Sequence, residues 1–154
     1  MLPAETLRIL GDDGSPKPVP TQEFFAGKKV ILFGVPGAFT RTCSAKHLPG
    51  FVQQANDFKA KGIDEIACVA VNDAAVMGAW GIAHGAPGNV VMLADGNADF
   101  TIAIGMDVDR RLNGMGVRSR RYAMLVENGV VRKLNVEPEG SYGISSAETM
   151  LEQV

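Results

Sequence analysis

Apolar runs alternating with a helical repeat, then a hairpin and a closing helix, predict an α/β fold: a three-layer sandwich around a mixed sheet. Three observations carry this. Lys29 to Gly34 (KVILFG) is a continuous apolar run, the pattern of a strand buried on both faces, and Ile63 to Val71 (IDEIACVAV) repeats it. Between them Leu48, Phe51, Val52, Ala55 and Phe58 recur at helical spacing and stop at Lys61-Gly62. Late in the chain Asn128-Gly129 separates Tyr122–Glu127 from Val130–Val136, the strongest short-range signal for a hairpin.

The remaining elements follow in order. Thr6 to Leu10 alternates weakly and reads as a short strand, and Gly11 to Pro16 is a turn cluster. Asn72 is placed to cap a helix running to about Ala83. Asn89 to Ala94 is a third strand and Ala98 to Ile104 a short helix. A Gly- and Arg-rich stretch runs to Arg120. Ser145-Ser146-Ala147-Glu148 reads as a capping box for the last helix. With no linker or repeat, residues 1–154 form one domain, long enough for a real core.

Composition narrows the function. Hydrophobic residues make up 46% and charged residues 21%, which excludes disorder, collagen and coiled coil. A net charge of −2 supplies no general attraction for nucleic acid. No run approaches about 18 apolar residues, so no membrane span is expected. Met1 to Leu10 shows no signal-peptide pattern, and a cytosolic, cytoplasmic location is the expectation. Two cysteines are too few for a disulfide scaffold or a four-thiolate metal site. Each must therefore be weighed as chemistry.

The chemistry concentrates in Pro36-Gly37-Ala38-Phe39-Thr40-Arg41-Thr42-Cys43-Ser44, the loop that a buried strand delivers to the carboxyl edge of the sheet. Cys43 falls in or near the first turn of a helix, where free N–H groups stabilise a thiolate, the nucleophilic form. Thr40 is close enough to hydrogen-bond the sulfur or a bound oxygen. The alternative is a buried thiol acting as a small hydrophobe, with Thr40 or Thr42 only capping.

The string VPGAFTRTCSAKHLPGF, with Pro36, Thr40 and Cys43 in P-x-x-x-T-x-x-C spacing, resembles the peroxiredoxins. Together with FAGKKVILFGVPGAFT, IACVAVNDAAVMGAWG and RRYAMLVENGVVRKLNVEP it is similar to the peroxiredoxin-5, or type II, group over nearly the whole chain. The resemblance implies a thioredoxin-like fold and a thiol peroxidase that reduces hydrogen peroxide and alkyl hydroperoxides with no metal or organic cofactor. It makes Cys43 the peroxidatic cysteine, Pro36 its shield from water and Thr40 the residue that orients the peroxide. Arg121 would stabilise the thiolate and the charge on the departing oxygen. A homodimer is the expected assembly. Arg41 departs from the usual proline of the motif and is expected to point into solvent.

Cys68 lies in a buried strand and is either an inert core thiol, the preferred reading, or a resolving cysteine for Cys43. Ser141 to Ser146, where animal members carry a resolving cysteine, has none. The resemblance thus points to reduction by an external thiol, glutathione with glutaredoxin first and thioredoxin second. The competing class is a peroxide sensor or redox relay using the same cysteine. A disulfide exchanger is disfavoured because no C-x-x-C exists. His47, four residues after Cys43, is a candidate dyad or metal ligand with only His84 far away, and a plain polar helix residue is the better reading. Gly81, Gly85 and Gly88 match no phosphate or dinucleotide loop. Six of eight arginines lie between Arg110 and Arg132, beside Asp107 and Asp109, and read as mixed surface. Arg118 and Arg120 are possible helpers of Arg121. Met77 and Trp80 are core or a dimer contact.

Overall fold

The computed structural model describes residues 1–154. Its centre is a seven-stranded mixed sheet. The strands are β1 (Thr6–Leu10), β2 (Pro16–Pro20), β3 (Lys29–Gly34), β4 (Glu65–Ala70), β5 (Val91–Ala94), β8 (Tyr122–Glu127) and β9 (Val130–Val136). Their order is β2-β1-β5-β4-β3-β8-β9. β3, β4 and β5 run parallel, and β8 pairs antiparallel with β3. β6 (Asp107–Asp109) and β7 (Val117–Ser119) form a separate small hairpin.

Strand alternation explains the layers. On β3, Ile31 and Phe33 enter one core with Phe51, Phe58, Met77 and Trp80, while Val30 and Leu32 enter another with Leu93, Phe100 and Tyr122. The first core is covered by α2 (Leu48–Gln53), α3 (Ala55–Ala60), α4 (Ala74–Ala83) and α6 (Ala147–Gln153). The second is covered by α1 (Thr21–Phe25) and α5 (Asp99–Ala103). Because β3 is buried on both faces, its whole length is apolar, which is why it was legible as a run. Met77 and Trp80 are core residues.

Several boundaries differ from expectation. β2 carries prolines at 16, 18 and 20, which lack donors and suit only an edge strand, and β2 is an edge. α1, a single turn after Pro20, left no periodicity to read. Asp73, not Asn72, caps α4 by accepting from Val76 N–H, and Asn72 instead accepts from Ala38 N–H in the active loop. Ser146, not Ser145, caps α6, accepting from Thr149 N–H. The expected helix after Cys43 is interrupted at Gln54, between α2 and α3. At the hairpin, Asn128 and Gly129 both have positive φ, 49° and 78°, as a type I′ turn requires.

Gly34 ends β3 opposite Tyr122, and a Cβ on it would overlap the edge of the tyrosine ring at Cε1 and Cζ. Gly34→Ala is therefore expected to destabilise the fold by about 1–3 kcal/mol through overpacking. Urea denaturation measures it, and a loss below about 0.5 kcal/mol, within the range of harmless surface changes, would contradict this packing.

Candidate active site

The loop from Val35 to Thr42 is held from three sides. Val35 N–H donates to Val69 O at 3.1 Å, prolonging the sheet by one bond, and Ala38 N–H donates to Asn72 Oδ1 at 2.9 Å. Trp80 Nε1–H donates to Ser44 Oγ at 2.9 Å, fixing the far end. Between these anchors Phe39 takes a left-handed conformation, φ 61°, and is 57% exposed.

The loop feeds a helical segment whose first turns are wide. Cys43–His47 is a π-helical turn, closed by Leu48 N–H donating to Cys43 O. Pro49 gives a reason: it has no N–H for Ala45 O, and its ring would crowd that carbonyl in a regular α-turn. The wide turn keeps Cys43 and His47 on one side of the segment, and both are fully buried.

Arg121 enters from the sheet, one residue before β8. Its Nη2–H donates to Cys43 Sγ at 3.1 Å and its Nη1–H to His47 Nδ1 at 2.9 Å. His47 Nε2 lies 2.9 Å from Ser145 O, which can only accept, so the proton resides on Nε2 and the Nδ1 lone pair faces Arg121. Burial, then the adjacent Arg121 charge, pull the His47 pKa down to about 3, so the ring is neutral. Phe33 and Tyr142 pack around it with ring centroids at 4.8 and 5.4 Å. A buried neutral imidazole thus holds one arm of the guanidinium while the other faces the sulfur.

The other expected residues take distinct places. Thr40 Oγ1 donates to Gly37 O at 2.6 Å rather than to the sulfur, which leaves its lone pairs free to accept. Pro36, Thr42, Arg120, Arg121 and Glu137 contribute to the wall of a pocket of about 260 Å³, which Arg121 and Thr42 join to the buried Cys43. Arg118 is a clamp on the sheet end, donating to Val71 O and Met115 O. Arg41 is exposed. Cys68, paired with Phe33 across the sheet, is fully buried in the same core as Cys43, and both thiols are free. Burial, then the neighbouring Cys43, push the Cys68 thiol well up, which disfavours its nucleophilic form.

His47, for which the i, i+4 spacing from Cys43 offers a dyad but a plain polar helix residue is the preferred reading, is instead buried against Arg121, a contact that only the fold shows. With Nδ1 engaged by Arg121, it has no lone pair left for a metal. Arg110, Arg111 and Arg132 pair with Glu139, Asp109 and Glu127, a mixed surface as expected. No helix is long and apolar enough to cross a membrane.

Comparison with known proteins identifies the family. The Redoxin family model matches residues 3–151. Peroxiredoxin-2E-2, chloroplastic, of Oryza sativa subsp. japonica is 52% identical, the alignment covering 97% of this chain and 68% of that protein. Peroxiredoxin-2E, chloroplastic, of Arabidopsis thaliana is 52% identical, covering 97% and 65%. The crystal structure of reduced Prx3 in complex with hydrogen peroxide from Vibrio vulnificus superposes with a TM-score of 0.94 at 53% identity, covering 99% and 94%. The chain belongs to the Redoxin family, whose members here share a thioredoxin-like fold, and within it to the type II peroxiredoxins, the thiol peroxidases.

The cytosolic expectation is corrected by the same comparison, since both plant relatives at 52% identity are named chloroplastic. Reduced thiols suit any reducing compartment, so composition could not choose among them.

The neutral His47 makes stability depend on pH. Folded, it gains a proton only near pH 3; unfolded, near 6.5. Between these values the unfolded chain binds the extra proton, so acid favours unfolding. Stability contributed by neutral His47 is complete above about pH 6.5 and falls by up to ~1.4 kcal/mol per pH unit toward pH 3. Burial pushes the Glu137 carboxyl up, but the hydrogen bonds from Ser145 and Gly143 outweigh it and hold it low. It adds in the same direction only below its ordinary value of 4.5. Urea denaturation between about pH 7 and pH 5 isolates His47, and His47→Gln is expected to flatten that slope. An unaltered slope would assign the proton elsewhere.

Proposed function

We propose that the protein reduces hydrogen peroxide and alkyl hydroperoxides with Cys43 as the attacking sulfur and an external thiol as reductant. The observation that carries this is the Arg121 guanidinium, placed 3.1 Å from Cys43 Sγ by a neutral histidine. The peroxiredoxin family, and a Vibrio relative crystallised with hydrogen peroxide, support the substrate class.

The thiolate of Cys43 attacks one peroxide oxygen in line with the O–O bond. That bond breaks, its electron pair leaves on the distal oxygen, and a proton converts this to water or alcohol. Cys43 becomes a sulfenic acid. Arg121 supports negative charge first on sulfur and then on the departing oxygen. Thr40, its own proton committed to Gly37 O, accepts a hydrogen bond from the peroxide O–H and so orients it. Pro36, in the pocket wall, restricts water.

A thiol then condenses with the sulfenic acid, releasing water and leaving a mixed disulfide. A second thiol releases Cys43 and carries the disulfide away. Cys68, fully buried and held protonated, supports assignment of this step to an outside donor. Glutathione with glutaredoxin is the favoured donor and thioredoxin the second. Two copies are expected to pair, for which exposed Phe39, Leu112 and Val117 offer apolar surface. The sensor reading gains no support from relatives that are named peroxiredoxins.

Peroxide consumption with each donor system tests the proposal. Cys43→Ser is expected to abolish turnover and Cys68→Ser to retain it. Full activity in Cys43→Ser would overturn the mechanism, and loss with every donor in Cys68→Ser would overturn the outside reductant. Arg121→Lys keeps the charge but loses the two-pronged geometry, and should slow oxidation of Cys43 at least about tenfold, ~1.4 kcal/mol.

A further inference from the structure

Glu137 lies directly after β9, is only 4% exposed and makes no ion pair. Its backbone N–H donates to Arg121 O at 2.9 Å, which continues the β8–β9 ladder beyond Tyr122 and Val136. Arg121 and Glu137 are thus neighbours across the sheet. The carboxylate nonetheless turns to its own loop. One oxygen, Oε2, accepts from Gly143 N–H at 2.6 Å, Ser145 N–H at 2.8 Å and Ser145 Oγ–H at 2.7 Å.

Three donors on a single oxygen draw the loop from Pro138 to Ser146 into a closed turn. The residue most tightly held is Ser145, bound by both its backbone and its hydroxyl. The Ser145 carbonyl is the group that receives the His47 Nε2 proton. Moving or rotating this peptide would remove the acceptor that assigns the tautomer. A proton on Nδ1 would then point at the Arg121 N–H, donor against donor, and the guanidinium would lose its hold 2.9 Å away.

We propose that Glu137 is a positioning residue for peroxide reduction, acting through Ser145 and His47 to fix the Arg121 guanidinium against Cys43. The relay runs Glu137 Oε2, Ser145, His47, Arg121, Cys43 Sγ, and each link is a hydrogen bond of 3.1 Å or less. Charge is required at its head because a buried carboxylate binds three donors where an amide oxygen has neither the charge nor the capacity. The catalytic part of this inference rests on the peroxidase reading above; the tautomer part does not.

The test compares wild type, Glu137→Gln, Ser145→Ala, His47→Gln and the Glu137→Gln/His47→Gln double variant. Stopped-flow oxidation of Cys43 by hydrogen peroxide gives the rate, nitrogen NMR of His47 gives its tautomer, and near-UV circular dichroism reports the fold. Glu137→Gln is expected to keep its tertiary spectrum, lose the single Nε2–H form of His47 and slow oxidation about tenfold. Ser145→Ala should shift both in the same direction by less. The double variant should be no slower than His47→Gln alone, because both act on one path.

A folded Glu137→Gln with wild-type rate, or losses that add in the double variant, would overturn the relay. Should Glu137→Gln not fold, Ser145→Ala decides, since it removes one donor of three; an unchanged rate and tautomer there would overturn it equally. If wild-type Cys43 does not react with peroxide, the peroxidase reading fails, while the His47 tautomer still tests the relay.

Discussion

A guanidinium held between a sulfur and an imidazole is the contact around which this molecule is arranged. Arg121 stands 3.1 Å from Cys43 Sγ and 2.9 Å from His47 Nδ1, so one flat group with donors at fixed angles serves two acceptors. Little water reaches either acceptor, both residues being fully buried, so the charge acts across a poorly screened gap. The arrangement requires His47 to be uncharged, and burial together with the guanidinium itself ensures this.

The sheet makes that contact possible. β3 carries the loop that ends in Cys43, and β8, its antiparallel neighbour, begins just after Arg121. The Gly34–Tyr122 pair therefore sits directly beneath the site, and absence of a side chain at Gly34 lets the tyrosine ring fill the space. A bulkier residue there would separate the strands that bring sulfur and guanidinium together. The π-helical turn complements this from the helix side, keeping Cys43 and His47 together where Pro49 disfavours a regular turn.

The same core holds two thiols in opposite circumstances. Cys43 faces a cation, whereas Cys68, on β4 between Phe33 and Met92, is enclosed in the apolar core and is driven toward its protonated form. Both sulfurs are equally buried, but only Cys43 accepts a hydrogen bond from the Arg121 guanidinium, while burial is the main reason that the Cys68 thiol is pushed up. The polar groups that are buried near Cys43, His47, Ser145 and Glu137, satisfy one another in series, as desolvated groups must.

The alternation of strands and helix is legible in the residue pattern alone, because a strand buried on both faces leaves a continuous apolar run and a packed helix leaves a 3.6-residue repeat. So is the Pro36, Thr40 and Cys43 spacing, since a loop and the turn that follows it are local. Edge strand β2 and single-turn α1 escaped, because prolines mask the first and five residues carry no period in the second. Helix caps moved by one residue where adjacent Asn72-Asp73 and Ser145-Ser146 compete for the position. Long-range packing is what buries His47, otherwise a plain polar helix residue, and what sets Glu137 to hold the loop that carries Ser145. The reason is distance along the chain: Cys43, Arg121 and Ser145 lie in different elements, and no local pattern records which side chains a sheet will bring face to face.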